Sequence, residues 1–281
     1  MDLAELLQIG RKIEYGTLQT RISKSPNSII YLLDTKLVAK FYLRTPQQNT
    51  GHTTATPEDE TEFYLQGISV RPDHISFENE SESLEKIKHP NIITTIGKGA
   101  TITSPQLPYI ILEYIKGQNL AEHSGNLNPK ICRKIIHSLC HALNAVHEKN
   151  IVHYDVKPTN MIITEDKATL IDFGLSRKVN TRPRHDTVEG TPLYLSPEHA
   201  RSRPADPRSD IYSLGVTIYH ALKGEPPFKG TAINIIVQHI RDPIPKLEGF
   251  PRDLCEIIRK CTEKDPNKRY QTPLALLSDL S

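Results

Sequence analysis

No stretch of about 18 consecutive apolar residues occurs anywhere in the chain, so a membrane-spanning helix is not expected. An excess of one charge is missing too: 35 Lys and Arg stand against 33 Asp and Glu. That near-balance argues against bulk electrostatic binding to nucleic acid or to a membrane surface. The opening residues, MDLAELLQIGRK, have neither a basic start nor a long apolar stretch, and so do not read as a secretory signal. Cysteine is scarce. Cys132, Cys140, Cys255 and Cys261 show no C-x-x-C or Cys/His spacing for zinc and fall in helix-like segments, which points to free, buried thiols in a reducing compartment. At 281 residues there is chain enough for one large domain or two lobes with an ample core.

The chemistry is concentrated in residues 151–174, IVHYDVKPTNMIITEDKATLIDFG. Asp155 sits in a polar loop entered by the apolar pair Ile151-Val152. Asn160 leads into Met161-Ile162-Ile163, a short apolar run that reads as a strand. After the turn Glu165-Asp166-Lys167, a second run from Ala168 to Ile171 returns antiparallel and delivers Asp172 beside Asn160. A carboxylate and an amide oxygen at one end of a hairpin form a hard oxygen site suited to Mg²⁺. Asp155 offers a proton acceptor and Lys157 a cation for a phosphate. The plain alternative is a polar loop between two strands.

This stretch resembles the catalytic and metal loops of eukaryotic-type protein kinases, H-R-D-x-K-x-x-N and D-F-G, with Tyr154 where the family has Arg. The resemblance implies an α+β, bilobal fold: a strand-rich N-lobe over about 1–114, carrying an insertion at 44–76, and a mainly helical C-lobe over about 115–281. It implies a Ser/Thr protein kinase that uses ATP and Mg²⁺. Asp155 and Lys157 are then the catalytic residues, and Asn160 and Asp172 the metal ligands.

Other segments extend the match. Lys36-Leu37-Val38-Ala39-Lys40-Phe41-Tyr42 is an alternating strand similar to the family's V-A-x-K, one residue short, with Lys40 on the α- and β-phosphates. A lysine in a strand is usually a solvated one, but FENESESLEKIKHPNII supplies a partner, Glu80, at the family spacing to Leu84, His89 and Pro90. Glu78, Glu82 and Glu85 read as the solvated face of the same helix. The run Tyr109 to Ile115 resembles the hinge between lobes, so the backbone of Glu113 and Ile115 would pair with adenine. Ala39 would lie above the ring and Ile162 below it, with Asn119 facing the ribose. A buried strand is the plain reading of these residues, and both can hold.

The glycine-rich loop is the poorest match. With Ile9 to Lys12 as the entering strand, Gly16 takes the middle glycine position and Glu14 and Gln19 replace the outer two. A second register ends at Tyr15-Gly16, and a third uses the glycine-free turn Ser23 to Ser28. The first half of the insertion, rich in Thr, Gln, Asn and Pro, reads as a mobile segment. Phe63-Tyr64-Leu65 could dock it on the N-lobe, as a regulator or as a solvent-exposed ornament.

Residues 128–149 carry a helical apolar stripe, and His137, His141 and His147 along it read as ordinary helix residues. Gly190 to Glu198, GTPLYLSPE, resembles the family's G-T-P-x-Y-x-A-P-E; Thr191 and Lys157 mark the Ser/Thr branch. Glu198 is expected to pair with Arg269, and Asp210 to cap backbone N–H groups of the catalytic loop. A helix is expected over Thr272 to Leu280, with no accessory domain beyond it. These platform segments favour a protein acceptor over a small-molecule one. Without carboxylates at Asn119, Thr159 and His220, strong selection for basic acceptor sequences is not expected. With Tyr154 in place of Arg, strict dependence on a phosphate at Thr187 is not expected either. The competing class is a pseudokinase, a kinase fold used for interaction. A cytoplasmic setting is expected, the host cytoplasm if the source is a pathogen.

Overall fold

The structure, a computed structural model, describes residues 7, 10–24, 28–44, 63–65, 68–102, 106–165, 167–182 and 190–280. Two compact units make up the chain. The first comprises 1–82 with 94–114 and the second 83–93 with 115–281, so the chain passes from one to the other at Glu82–Ser83, Ile93–Thr94 and Tyr114–Ile115.

In the first unit, alternating apolar side chains build an antiparallel sheet. Its strands are β1 (Lys12–Ile13), β2 (Gly16–Lys24), β3 (Ser28–Leu33), β4 (Leu37–Arg44), β5 (Phe63–Leu65), β6 (Ile68–Pro72), β7 (Thr95–Ala100) and β8 (Pro108–Glu113). The path runs β1-β2-β3-β4, and β8 joins β4 to β7. Between β3 and β4, Asp34 to Lys36 turn the chain, and Lys36 takes a φ of +58°. Leu18, Ile29, Tyr31, Leu33, Ala39, Phe41, Leu43, Leu107, Tyr109 and Ile111 form the core under the sheet. Full burial of each of the larger side chains among them contributes about 1.5–3 kcal/mol.

The second half of the insertion joins this sheet through its backbone. β5 pairs with β6, and β6 extends β4 through Leu43↔Pro72 and Arg44↔Arg71. Residues 45–62 lie outside the described residues. Helix α1 (His74–Lys86) follows at once, with Ser76 Oγ bonded to Asp73 at 2.8 Å at its start.

The second unit is built on helices. Helix α2 (Pro129–Glu148) starts on Asn128, whose side chain accepts from Lys130 N–H, and has Pro129 in its first turn. It buries Cys132, Ile135, Ile136, Leu139, Cys140, Leu143 and Val146 on one face. Helix α3 (Arg208–Lys223) is buried all round from Ser209 to Tyr219, as a central core helix must be. Helix α5 (Arg252–Cys261) packs against it, α4 (Ala232–Arg241) meets it through His239 and Tyr212, and α6 (Pro273–Leu277) packs against α2. Helix α6 is shorter than the expected 272–280 helix, and Thr272 is its cap, accepting from Ala275 N–H. Short strands carry the loops: β9 (Gln118–Asn119), β10 (Ile151–Val152), β11 (Met161–Thr164), β12 (Lys167–Leu170) and β13 (Arg177–Lys178). All four cysteines are free, Cys132, Cys140 and Cys261 buried and Cys255 half-buried. No described helix is long and apolar enough to cross a membrane.

Candidate active site

In the first unit, Lys40 sits in mid-strand on β4, opposite Ile30 on one side and Ile110 on the other. It is 4% exposed, and its Nζ lies 2.6 Å from Oε2 of Glu80, itself fully buried on α1. Glu80 shares its inward face with Ser83, Leu84 and Ile87, whereas Glu78, Glu82 and Glu85 are exposed. Both partners of the ion pair are out of water, so removing either one is costly. Ala39 is fully buried between Tyr31 and Ile111 in the sheet. Glu113 ends β8, its carboxylate accepting from Thr94 N–H at 2.8 Å and its own N–H bonded to Thr94 O at 3.0 Å.

Gly16 is not brought to Lys40. Lys40 pairs with Ile30, and Ile30 pairs with Ser23, so the turn joining β2 to β3 closes at the Lys40 end of the sheet. Gly16 begins β2 at the opposite end, against the β3–β4 turn: Thr17 N–H donates to Asp34 Oδ1 at 2.9 Å. With φ at +148° and Asp34 Oδ1 only 2.6 Å from where a Cβ would stand, its glycine closes that turn. The pairing therefore supports the glycine-free register at Ser23 to Ser28. Its residues 25–27 lie outside the described residues.

In the second unit, the β11–β12 hairpin has Met161 opposite Leu170, and Ile171 N–H donates to Asn160 O at 2.9 Å. That places Asp172 next to Asn160. Asn160 turns its Nδ2 to Asp155, donating to the backbone O and to Oδ2, each at 2.9 Å. Lys157 Nζ lies 2.6 Å from the same Oδ2 and donates to Thr191 Oγ1 at 2.9 Å. Asp155, Lys157, Asn160 and Thr191 thus form one bonded cluster. Tyr154 and Asp172 both take positive φ, 68° and 63°, a costly backbone for residues with side chains that surrounding contacts must hold.

Asp210, fully buried at the start of α3, supplies that hold at Tyr154. Its two oxygens accept the N–H groups of His153 at 2.8 Å and Tyr154 at 2.9 Å. His147 Nε2 lies 2.8 Å from the Asp210 carboxylate, so this histidine is no ordinary helix residue. Its partner lies 63 positions away, and spacing along α2 carries no signal of it. Thr217 Oγ1 adds a bond to Val156 O at 3.2 Å.

Tyr154 is 7% exposed, packed with Val152, Ala205, Leu175 and Val179. Its ring meets that of His199 edge-on, and the Arg177 guanidinium lies 5.9 Å from its centroid. Burial, reinforced by the Asp210 charge, pushes the Tyr154 phenol far up. Burial and Arg177 push the His199 imidazole down to about 4. Both rings are neutral near pH 7. Thr187 lies outside the described residues.

The remaining expected positions are partly engaged. Asn119 pairs with Ile162 across β9 and β11, and its Nδ2 donates to Glu122 Oε1 at 2.6 Å. Ile162 and Ile115 are half-buried. Gly117, not singled out from sequence, lies where a Cβ would stand 2.4 Å from Ile163 O, so the chain leaving Ile115 packs directly on β11. Thr159 is exposed, and His220 Nδ1 lies 2.7 Å from Tyr194 Oη. Glu198 and Arg269 form a buried, two-bond ion pair at 2.7 and 2.8 Å.

The donor set fits Mg²⁺. Both bonds of the Asn160 Nδ2 go to Asp155, which leaves its oxygen as the group to meet a hard cation, and Asp172 adds a carboxylate.

Residues 66–279 match the family described as Protein kinase domain. The chain is 38% identical over 221 residues to serine/threonine-protein kinase PknB of Mycobacterium tuberculosis, covering 74% of this chain and 35% of the relative. It is 38% identical over 220 residues to PknB of Mycobacterium leprae, again covering 74% and 35%. To the probable serine/threonine-protein kinase PknB of Bifidobacterium longum it is 34% identical over 223 residues, covering 73% and 32%. The chain spans about a third of the length of these relatives.

Proposed function

This chain belongs to the protein kinase family, and we propose that it transfers the γ-phosphoryl group of Mg-ATP to a serine or threonine hydroxyl of a protein. The observation that carries the reading is the bonded cluster of Asp155, Lys157, Asn160 and Thr191, with Asp172 adjacent to Asn160.

Asp155, fixed by Asn160 and Lys157, orients the acceptor hydroxyl through its carboxylate and takes the proton late in the transfer. Lys157 neutralises the oxygens of the moving phosphoryl group. Lys40, locked by Glu80, binds the α- and β-phosphates. Asn160 and Asp172 would hold Mg²⁺, which when bound neutralises phosphate charge. The transition state of such transfers is loose, so positioning and charge neutralisation supply most of the catalysis. Ala39, Glu113, Ile115, Asn119 and Ile162 are assigned to the adenosine part of ATP.

The neutral Tyr154–His199 pair supports a second element of the reading: activity does not depend strictly on a phosphate at Thr187. A cytoplasmic setting is part of the same proposal, and cell fractionation tests it.

The test compares wild type with Asp155→Ala and Lys40→Met, using radiolabelled ATP-Mg and casein as acceptor. Transfer by wild type and its loss in both variants is the expected result; equal signal in all three defeats the proposal. The register at Ser23 to Ser28, which has no glycine, favours one other reading, a pseudokinase that binds nucleotide without transfer. Nucleotide-induced thermal stabilisation in a wild type that transfers nothing would select it.

A further inference from the structure

Three side chains outside the catalytic cluster form a hydrogen-bonded chain that ends on the backbone of Leu193, two residues beyond Thr191. Lys264, after α5, donates from Nζ to Tyr212 Oη at 2.9 Å and to His239 O at 2.9 Å. Tyr212 Oη lies 3.0 Å from His239 Nδ1, and His239 Nε2 lies 3.0 Å from Leu193 O. Tyr212 and His239 are fully buried. Phe228 closes the assembly, its ring edge-on to His239 at 4.9 Å.

The proton order in this chain follows from what each group can do. A lysine ammonium only donates, so the Tyr212 oxygen accepts from Lys264 and turns its own hydrogen to His239 Nδ1. Burial, the main cause, and the Lys264 charge push the His239 imidazole down to about 4, so the ring is neutral near pH 7. A neutral ring that accepts at Nδ1 carries its proton on Nε2, which then donates to Leu193 O. The other tautomer would set a lone pair against that carbonyl. Burial and Arg269 push the Lys264 amine down to about 8, which leaves it mostly protonated near pH 7.

Leu193 lies in the segment that Thr191 ties to Lys157, and Ser213 Oγ holds the next carbonyl, Tyr194 O, at 2.7 Å. The segment is pinned in succession by the catalytic lysine, by His239 and by Ser213. We propose that His239 is a positioning residue for the protein acceptor, its tautomer set by Tyr212 and Lys264 so that it clamps the Leu193 carbonyl beside the catalytic cluster. This rests on the kinase reading above; the clamp itself does not.

Two measurements on the full chain test it, with His239→Ala and His239→Gln, since glutamine can return an N–H to the Leu193 carbonyl. Backbone hydrogen exchange of residues 191–195 should speed up about fivefold in His239→Ala, the loss of one buried hydrogen bond, and return to within about twofold of wild type in His239→Gln. In casein phosphorylation, His239→Ala should raise the acceptor KM about fivefold while the ATP KM stays unchanged, again with recovery in His239→Gln. Unchanged exchange and unchanged acceptor KM in His239→Ala overturn the inference. So does a His239→Gln protein of wild-type thermal stability that fails to recover either. If wild type transfers no phosphate, the kinase reading fails, and exchange still decides the clamp.

Discussion

The ring of Tyr154 stands edge-on to the ring of His199, with centroids 4.2 Å apart and planes at 76°. Neither ring is charged near pH 7, because burial moves the phenol up and the imidazole down to about 4. Such a contact contributes about 0.5–1.5 kcal/mol beyond the area it buries. It ties the residue before Asp155 to the residue after Glu198 without a phosphate. A Thr187→Ala protein is therefore expected to keep phosphotransfer within about threefold of wild type. A folded Thr187→Ala protein with no activity would refute this. Tyr154→Arg is expected to lower the activity of unphosphorylated protein, since it buries a cation beside Arg177.

Gly16 provides a second test. The sheet places it at the β3–β4 turn, where a Cβ would meet Asp34 Oδ1 and the backbone lies at positive φ. Gly16→Ala is expected to cost about 1–3 kcal/mol of stability from backbone strain, while the ATP KM of the folded protein stays unchanged. Chemical unfolding and initial rates measured on one preparation check both halves. A raised ATP KM at unchanged stability would return Gly16 to the phosphates.

Gly16 also marks where sequence stops being enough. Asp155, Lys157, Asn160 and Asp172 were legible because one loop and one short hairpin bring them together, and local spacing fixes local geometry. Lys40 and Glu80 were legible because a strand and a helix each have a known period, and only one glutamate of its helix falls on the buried face. Gly16 was misplaced because a glycine announces a turn but not which turn; only the pairing of Lys40 with Ile30 and of Ile30 with Ser23 decides that. His147 reads as a plain helix residue, and nothing in the sequence singles out His239, because their partners, Asp210 and Leu193, lie 63 and 46 positions away.

The Lys40–Glu80 pair predicts a nucleotide-specific defect. With Lys40 4% exposed and Glu80 fully buried, Glu80→Gln leaves a buried ammonium facing a neutral amide. Without the carboxylate charge the ammonium is less firmly held, so the ATP KM should rise about tenfold or more, while the acceptor KM changes little. Kinetics at varied ATP and fixed acceptor measure this. An unchanged ATP KM would mean that Glu80 does not position Lys40 for nucleotide.

The Glu198–Arg269 pair predicts how stability responds to acid. Burial pushes the Glu198 carboxyl up, but the two Arg269 bonds, the Arg269 charge and the Ser209 hydroxyl outweigh it and hold it below the ordinary carboxylate value. A carboxyl depressed in the folded state contributes stability that is fully present above its unfolded value. That contribution is lost as pH falls through the folded one. Near pH 7, Glu198→Gln leaves Arg269, 3% exposed, without its counter-charge, which should cost about 3–5 kcal/mol. At about 2–4 °C per kcal/mol for a chain of this size, Tm should fall by about 6–20 °C. The variant cannot lose what it never had, so the gap between it and wild type should narrow as the pH is lowered below the ordinary carboxylate value. Urea unfolding of both proteins across that range measures the gap. A difference that stays constant with pH would mean that the pair is held by packing and hydrogen bonds alone, with its charge contributing nothing.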